Sequence, residues 1–208
     1  MDTEYINKNR RNLPWQKNST RNTRGRIVSA AWKLFYEQGY EDTTVEEIIE
    51  LSGTSKGSFY HYFDGKDALL STLSSLFDEK YEELTGLLTP EMTAMEQLLF
   101  LNRELFHMIE DSISLDLLAR LYSTQLTTNG EKHLLDHNRI YYKLLRKIIA
   151  KGQAEGQLSS RSNVNEMVKL YALCERALLY DWCLCAGEYA LTEYSAKVLP
   201  GFLSSFLP

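Results

Sequence analysis

Residues 54–63 read TSKGSFYHYF, a short segment that contains four aromatic rings, a lysine and a histidine. Phe59 and Phe63 are four residues apart, so on a helix they share one face that can pack inward. Ser55 can cap this helix, because its hydroxyl accepts a hydrogen bond from a first-turn N–H group. The side chains left pointing outward or sideways are Lys56, Tyr60, His61 and Tyr62.

A second short helix is predicted directly before this segment. In TTVEEIIELSG (43–53), Thr44 and Glu47 have the spacing of a capping box, and Gly53 ends the helix after about two turns. Two short helices joined by a tight turn that contains glycine make a helix-turn-helix, here at about residues 43–62. With an amphipathic helix before it, residues 19–65 form a three-helix, homeodomain-like domain.

The outward side chains of the third helix suit contact with a DNA duplex. Surface aromatic residues indicate a binding partner. Lysine binds phosphate, and tyrosine and histidine reach phosphates or base edges. The helix N-terminus at Ser55 points backbone N–H groups toward a phosphate, and Gly57 keeps the first turn slim.

The charge distribution favours the same partner. The formal net charge is −5, but residues 1–26 hold seven basic and two acidic side chains. Residues 1–18 are predicted to be a disordered basic arm, which binds nucleic acid or is merely a solvated tail. Arg21 and Arg24, at the start of the first helix, can reach backbone phosphates or an adjacent minor groove.

Over residues 19–70 the sequence resembles the DNA-binding domain of the TetR/AcrR family of transcriptional repressors. The motifs that carry the resemblance are Ile27, Ala30-Ala31, Leu34-Phe35, Gly39-Tyr40, Thr43-Thr44-Val45, Ile48, Gly53, SKGSFYHYF and Lys66-Asp67-x-Leu69. Ser52-Gly53-Thr54 and Tyr62 depart from the common Ala-Gly-Val and His of the family, so the operator sequence is not inferred.

The resemblance implies a homodimer that binds a palindromic operator and releases it when a small-molecule effector enters the C-terminal domain. It implies that Ser55, Lys56, Gly57 and Ser58 face the major groove. It also implies that four residues contact DNA phosphates: Thr44, Tyr60, Tyr62 and Lys66. His61 stands at the neighbouring position, which varies among members of the family.

Residues 66–208 are predicted to form an all-helical ligand-binding and dimerisation domain, giving about nine helices in an all-α chain. A long helix starts at about residue 66, and others follow at roughly 91–110, 114–126, 131–154, 163–186 and 190–206. Residues 177–191 resemble the end of the body in repressors of multidrug efflux, where the last two helices form a dimer interface; plain core is the alternative. The expected interface residues are Leu178, Leu179, Trp182, Leu199, Phe202, Leu203 and Phe206.

Polar residues within apolar stretches are candidates for the effector site. Each of them could also be an ordinary core or surface group. The candidates are Arg103, His107, Arg120, Tyr122, Tyr171, Cys174 and Glu175.

Other classes of protein are disfavoured. No stretch reaches the roughly 18–20 apolar residues of a membrane span, and the N-terminus lacks the apolar core of a signal peptide, so a cytoplasmic protein is expected. The three cysteines are expected to be reduced, with no metal site or cofactor. No catalytic motif is found, which disfavours an enzyme using a histidine (107, 133 or 137) with a cysteine. A protein-interaction module or an activator remains an alternative.

Overall fold

Residues 22–127 and 132–208 are described by the computed structural model of the chain; they contain α-helices, two short 3-10 helices and no strand. The predicted all-α fold is confirmed. None of the described helices is long and apolar enough to cross a membrane. The helices are α1 Thr23–Gln38, α2 Val45–Ser52, α3 Lys56–Tyr62, α4 Lys66–Leu70, α5 Leu73–Thr85, α6 Ala94–Ser112, α7 Leu115–Thr127, α8 Ile140–Ala154, α9 Val164–Leu184 and α10 Leu191–Leu203, with 3-10 helices at His133–Leu135 and Ser204–Phe206.

The chain divides into two compact units, Met1–Leu76 and Phe77–Pro208. The domain boundary predicted from the sequence lies before α4, at residue 66. In the structure α4 belongs to the first unit. The indole Nε1 of Trp32 donates a 2.8 Å hydrogen bond to Thr72 Oγ1 just after this helix, and Leu69 within it is fully buried.

The first unit contains the helix-turn-helix. Both helix starts are confirmed: Thr44 and Glu47 form the complete capping box of α2, and Ser55 caps α3. Gly53 takes the left-handed conformation, with φ 60° and ψ 37°, which favours glycine. Phe59 is fully buried, and α1 contacts both α2 and α3, so the third helix is held from beneath.

The single long helix predicted from residue 66 is wrong, because it breaks between α4 and α5. Ser71, Thr72 and Ser74 lie at the break. Their hydroxyls donate to the backbone carbonyls three residues earlier, at 2.7, 2.6 and 2.6 Å. Hydroxyls that bond local carbonyls in this way compete with helix hydrogen bonds.

In the second unit, α9 contacts α7, α8 and α10, and α6 contacts α8 and α10. The helix predicted over 131–154 is wrong in its first part, since α8 begins only at Ile140. Asp136 Oδ1 accepts from the backbone N–H of Asn138 at 2.8 Å, a local turn that replaces helix hydrogen bonds.

The close approach of α6 and α8 depends on Gly152. A methyl group there lies 2.6 Å from Ala94 Cβ and 2.8 Å from Leu158 Cδ1. We expect Gly152→Ala to lower the free energy of unfolding by about 1–3 kcal/mol through overpacking. Urea unfolding followed by circular dichroism measures this. Gly201→Ala is the control, since a methyl there meets nothing within 4 Å. A Gly152→Ala variant as stable as wild type contradicts the prediction.

Candidate nucleic-acid interface and internal cavity

The outer face of α3, defined by Lys56, Tyr60, His61 and Tyr62, is exposed as predicted. Tyr60 and Tyr62 are 46% and 43% exposed, which is high for rings of this size. The Lys56 ammonium lies 6.0 Å from the centre of the Tyr60 ring, and the His61 and Tyr62 rings meet edge to face at 4.8 Å. Lys56 and Tyr60 are thus neighbours one turn apart, and His61 and Tyr62 extend the exposed polar surface around the helix; groups of these kinds contact phosphates and base edges.

The first turn of α3 is open to a close partner. Ser55 Oγ accepts from the backbone N–H of Ser58 at 3.1 Å, and the two hydroxyls share a 2.9 Å hydrogen bond. Among the described residues, a methyl group at Gly57 would meet only Ser55 Oγ, at 4.0 Å. The backbone of this turn is consequently unobstructed on its outer side.

Lys56 and Thr44 already have carboxylate partners on α2. The Lys56 ammonium lies 3.6 Å from a Glu46 oxygen, and both side chains are about 70% exposed. The Thr44 hydroxyl donates to Glu47 Oε2 at 2.8 Å. Hydrogen bonds from the Thr44 backbone and hydroxyl hold the pKa of the Glu47 carboxyl below its usual range.

Lys66, a predicted phosphate contact, is bound to the protein's own backbone in the structure. Its ammonium donates to three backbone carbonyls, Tyr40 at 2.6 Å, Glu41 at 3.2 Å and Thr43 at 2.9 Å. It also lies 4.3 Å from the centre of the Tyr40 ring. An ammonium has three N–H donors, so all of them are used in holding the loop between α1 and α2.

Of the two arginines predicted to contact DNA at the start of α1, the structure describes only Arg24. Arg24 is exposed, and its guanidinium lies over the Phe63 ring at 5.4 Å, at the end of α3. Arg21 and the arm of residues 1–18 lie outside the described residues.

The second unit contains a small, partly open cavity of about 50 Å³, which we call the Tyr81 cavity. Of the seven predicted effector residues, the structure brings Tyr122 and Glu175 to its wall. Sequence reasoning missed Tyr81, Tyr141, Arg139 and Arg176, which also line it. These residues come from α5, α8 and α9 and the loop before α8, so no spacing along the chain signals that they meet.

The other predicted effector residues lie elsewhere. Arg103 and Arg120 form surface ion pairs with Glu104 and Asp116, and the exposed His107 Nε2 lies 3.4 Å from an Asp111 oxygen. Arg103 also borders a separate open groove of about 620 Å³ between α6 and α10. Tyr171 is buried and donates to the carbonyl of Leu98 at 2.8 Å. Cys174 is buried, and burial raises the pKa of its thiol to about 11.

A buried chain of hydrogen bonds runs through the core of the second unit. Ser195 Oγ donates to Asn102 Oδ1 at 2.5 Å, and Asn102 Nδ2 donates to Glu175 Oε1 at 2.8 Å. The Tyr141 hydroxyl donates to Glu175 Oε2 at 2.6 Å. Burial raises the pKa of Glu175 above its usual range, although these hydrogen bonds oppose the shift. Because Ser195 and Asn102 border the open groove, the chain links that groove to the Tyr81 cavity.

The predicted dimer residues are placed differently from the expectation. Six of the seven are buried within the chain itself, and Phe202 is half-buried. Side chains that fill a chain's own core cannot also be its outer surface. The exposed apolar residues of α9 lie on its opposite side: Leu173, Tyr180 and Leu184.

Comparison with known proteins agrees with this geometry. The family profile described as "Bacterial regulatory proteins, tetR family" matches residues 27–73, which contain α2 and α3. TtgR of Pseudomonas putida is 34% identical over 68 residues, 33% of this chain and 32% of that protein. The chain spans about a third, or less, of the length of this and other relatives with high local identity.

Two longer likenesses extend over both units. The fatty acid metabolism regulator protein of Bacillus subtilis is 23% identical over 177 residues, 83% of this chain and 90% of that protein. The solved structure of Thermus thermophilus FadR, a TetR-family transcriptional repressor in complex with lauroyl-CoA, superimposes with a TM-score of 0.71. The two are 25% identical, and the superposition covers 88% of this chain and 94% of that one.

Proposed function

We propose that the chain is a TetR-family DNA-binding transcriptional repressor that a small molecule releases from its operator, as the family match over residues 27–73 and the likeness to Thermus thermophilus FadR support. The observation that carries the proposal is the outer face of α3, where exposed cationic and aromatic side chains surround a helix anchored by Phe59. A protein that regulates transcription in this way acts in the cytoplasm, beside the chromosome.

The charge of the first unit supports a role for the arm. From residue 22 to residue 76 the sequence holds five basic and eight acidic side chains, so this part alone is net negative. Residues 1–21 hold five basic and two acidic side chains. We propose that the arm, with Arg21, supplies phosphate contacts, because binding to the duplex depends on neutralising phosphate charge.

The exposed side of α9 is the proposed dimer surface. Leu173, Tyr180 and Leu184, which we call the α9 stripe, are 52%, 47% and 67% exposed and recur at seven and four residues, so they share one helix face. A row of large exposed apolar residues marks an interaction site. A twofold dimer formed through this stripe presents two α3 helices to a palindromic operator.

Effector binding and DNA binding are coupled through two states of the dimer. In the proposed mechanism the operator binds one arrangement of the DNA-binding units and the effector binds another. Each ligand then lowers the affinity for the other by the same factor. The Tyr81 cavity supports an effector site in the second unit, where it is lined by aromatic and polar groups.

Selection of bound DNA from a random pool tests the proposal. We expect an inverted repeat whose half-site centres are separated by about one helical turn, 34–36 Å, or a multiple of it. Fluorescence anisotropy with the selected duplex then gives the affinity, and a scrambled duplex of equal length is the control. Recovery of no sequence, or of a single unrepeated site, contradicts a dimeric sequence-specific regulator.

A further inference from the structure

Tyr81 carries a hydroxyl without a partner. The residue is 2% exposed, and its oxygen is the one buried side-chain polar atom in the described ranges that lacks a hydrogen bond. Its ring lies 5.0 Å from that of Tyr141, and both border the Tyr81 cavity. Because buried hydroxyls are nearly always satisfied, this donor indicates an acceptor that enters the cavity.

Of the two guanidinium groups at the cavity, one is neutralised. Arg139 donates to both carboxylate oxygens of Asp78, each at 3.1 Å. Arg176 is half-buried and has one hydrogen bond, to the Tyr142 hydroxyl at 3.3 Å. Within residues 22–127 and 132–208 no carboxylate lies within 4.0 Å of it. Arg176 therefore brings to the cavity a positive charge without a directly bound counter-charge.

The Glu175 carboxyl does not serve as a directly bound counter-charge for Arg176. Its oxygens accept from Asn102 and Tyr141, at 2.8 and 2.6 Å. Burial raises the pKa of Glu175, although its hydrogen bonds and the nearby charge of Arg176 oppose the shift.

We propose that the Tyr81 cavity binds a small aromatic carboxylate, with its anionic group at Arg176 and a hydrogen-bond acceptor at the Tyr81 hydroxyl. This assignment rests on the proposed function, since it names the class of effector. The flat faces that receive the ring come from Phe77, Phe106, Tyr122 and Tyr141. Two other classes of ligand fit the cavity less well. A hydrocarbon chain would leave the Tyr81 hydroxyl without a hydrogen bond, and an organic cation would be repelled by the positive charge of Arg176.

The size of the cavity links this ligand to release of the operator. A volume of 50 Å³ holds a carboxylate or a few water molecules, whereas benzene occupies an engineered cavity of about 150 Å³. A ring therefore enters only if the surrounding helices move apart. The ligand consequently selects a widened state of the second unit, as an inducer does.

The test compares three probes on the full-length protein by isothermal titration calorimetry: 4-hydroxybenzoate, benzamidine and laurate. They present an aromatic anion, an aromatic cation and an aliphatic anion. We expect 4-hydroxybenzoate to bind most tightly. Arg176→Gln weakens its binding about tenfold or more, as loss of a charged hydrogen bond does, and Tyr81→Phe weakens it several-fold. Arg161→Gln, an exposed arginine away from the cavity, leaves binding unchanged.

Two further readouts make the outcome decisive. Tyr81→Phe without ligand is expected to unfold at the same temperature as wild type or higher, because it removes an unsatisfied hydroxyl. Tighter binding of benzamidine or laurate, undiminished binding to Arg176→Gln, or no binding of 4-hydroxybenzoate at about 10 mM overturns the assignment. Anisotropy with operator DNA separates the two proposals: ligand binding without any effect on DNA supports the ligand class and contradicts its role as inducer.

Discussion

Replacing both Lys56 and Tyr60 by alanine is expected to abolish the shift of an operator fragment in a gel, a loss of about 100-fold or more in affinity. The two side chains are one helical turn apart on the outer face of α3, and the ammonium lies 6.0 Å from the ring centre. Losing two contacts at about 1–3 kcal/mol each accounts for a change of this size. Both residues are exposed, so the fold should survive.

Anisotropy titrations over a range of salt concentrations measure the effect and its cause. Loss of the Lys56 charge lowers the log–log salt slope by up to about one unit, so the double variant should have a shallower slope. The control is Lys33→Ala with Tyr36→Ala, a matched pair of exposed residues on α1. Undiminished operator binding by the Lys56 and Tyr60 variant would show that α3 is not the recognition helix.

Aspartate substitutions at Leu173 and Leu184 are expected to convert the protein into monomers at micromolar concentration. These are the two aliphatic members of the α9 stripe, and a carboxylate in a dimer core is left buried and unpaired. Operator affinity should fall by about 100-fold or more, because a monomer contacts only one half-site. Sedimentation velocity and anisotropy measure the two effects.

The control for this experiment is an aspartate at another exposed leucine. Leu87 is 55% exposed and lies outside α9, between α5 and α6, so Leu87→Asp should remain dimeric. If the double α9 variant sediments as a dimer, the stripe is not the self-association surface.

The capped helix starts of the helix-turn-helix were predictable from the sequence because their chemistry is local. Thr44 with Glu47 and Ser55 with Ser58 act across three residues, and the structure contains both interactions. The inward direction of Phe59 and Phe63 follows from helical spacing alone. Sequence reasoning is reliable where the interacting groups are separated by a single turn of helix.

Hydrophobicity alone could not decide which of the two apolar sides of α9 forms a dimer surface. Leu178 and Trp182 were chosen for their hydrophobicity, yet they fill the core, while Leu173 and Leu184 face outward. Periodicity identifies an apolar face, but it does not say whether that face meets the same chain or another one.

The Tyr81 cavity could not be predicted because its members are distant in sequence. Tyr141 and Glu175, which share a hydrogen bond at the cavity wall, are separated by 34 residues. Nothing in the sequence distinguishes Arg139 from Arg176. Only the fold brings Arg139 to Asp78. Their different chemistry arises entirely from tertiary packing.

The acidic partners of the outer face have a consequence for how binding should be measured. In the free protein the Lys56 ammonium lies beside a Glu46 carboxylate, and the Thr44 hydroxyl donates to the Glu47 carboxylate. On DNA, phosphate oxygens would take the place of these carboxylate oxygens. When the duplex arrives, the phosphate displaces a carboxylate of the protein itself, and fewer anions return to the solvent. The measured salt slope thus undercounts the phosphates bound, because part of the ion exchange takes place within the protein.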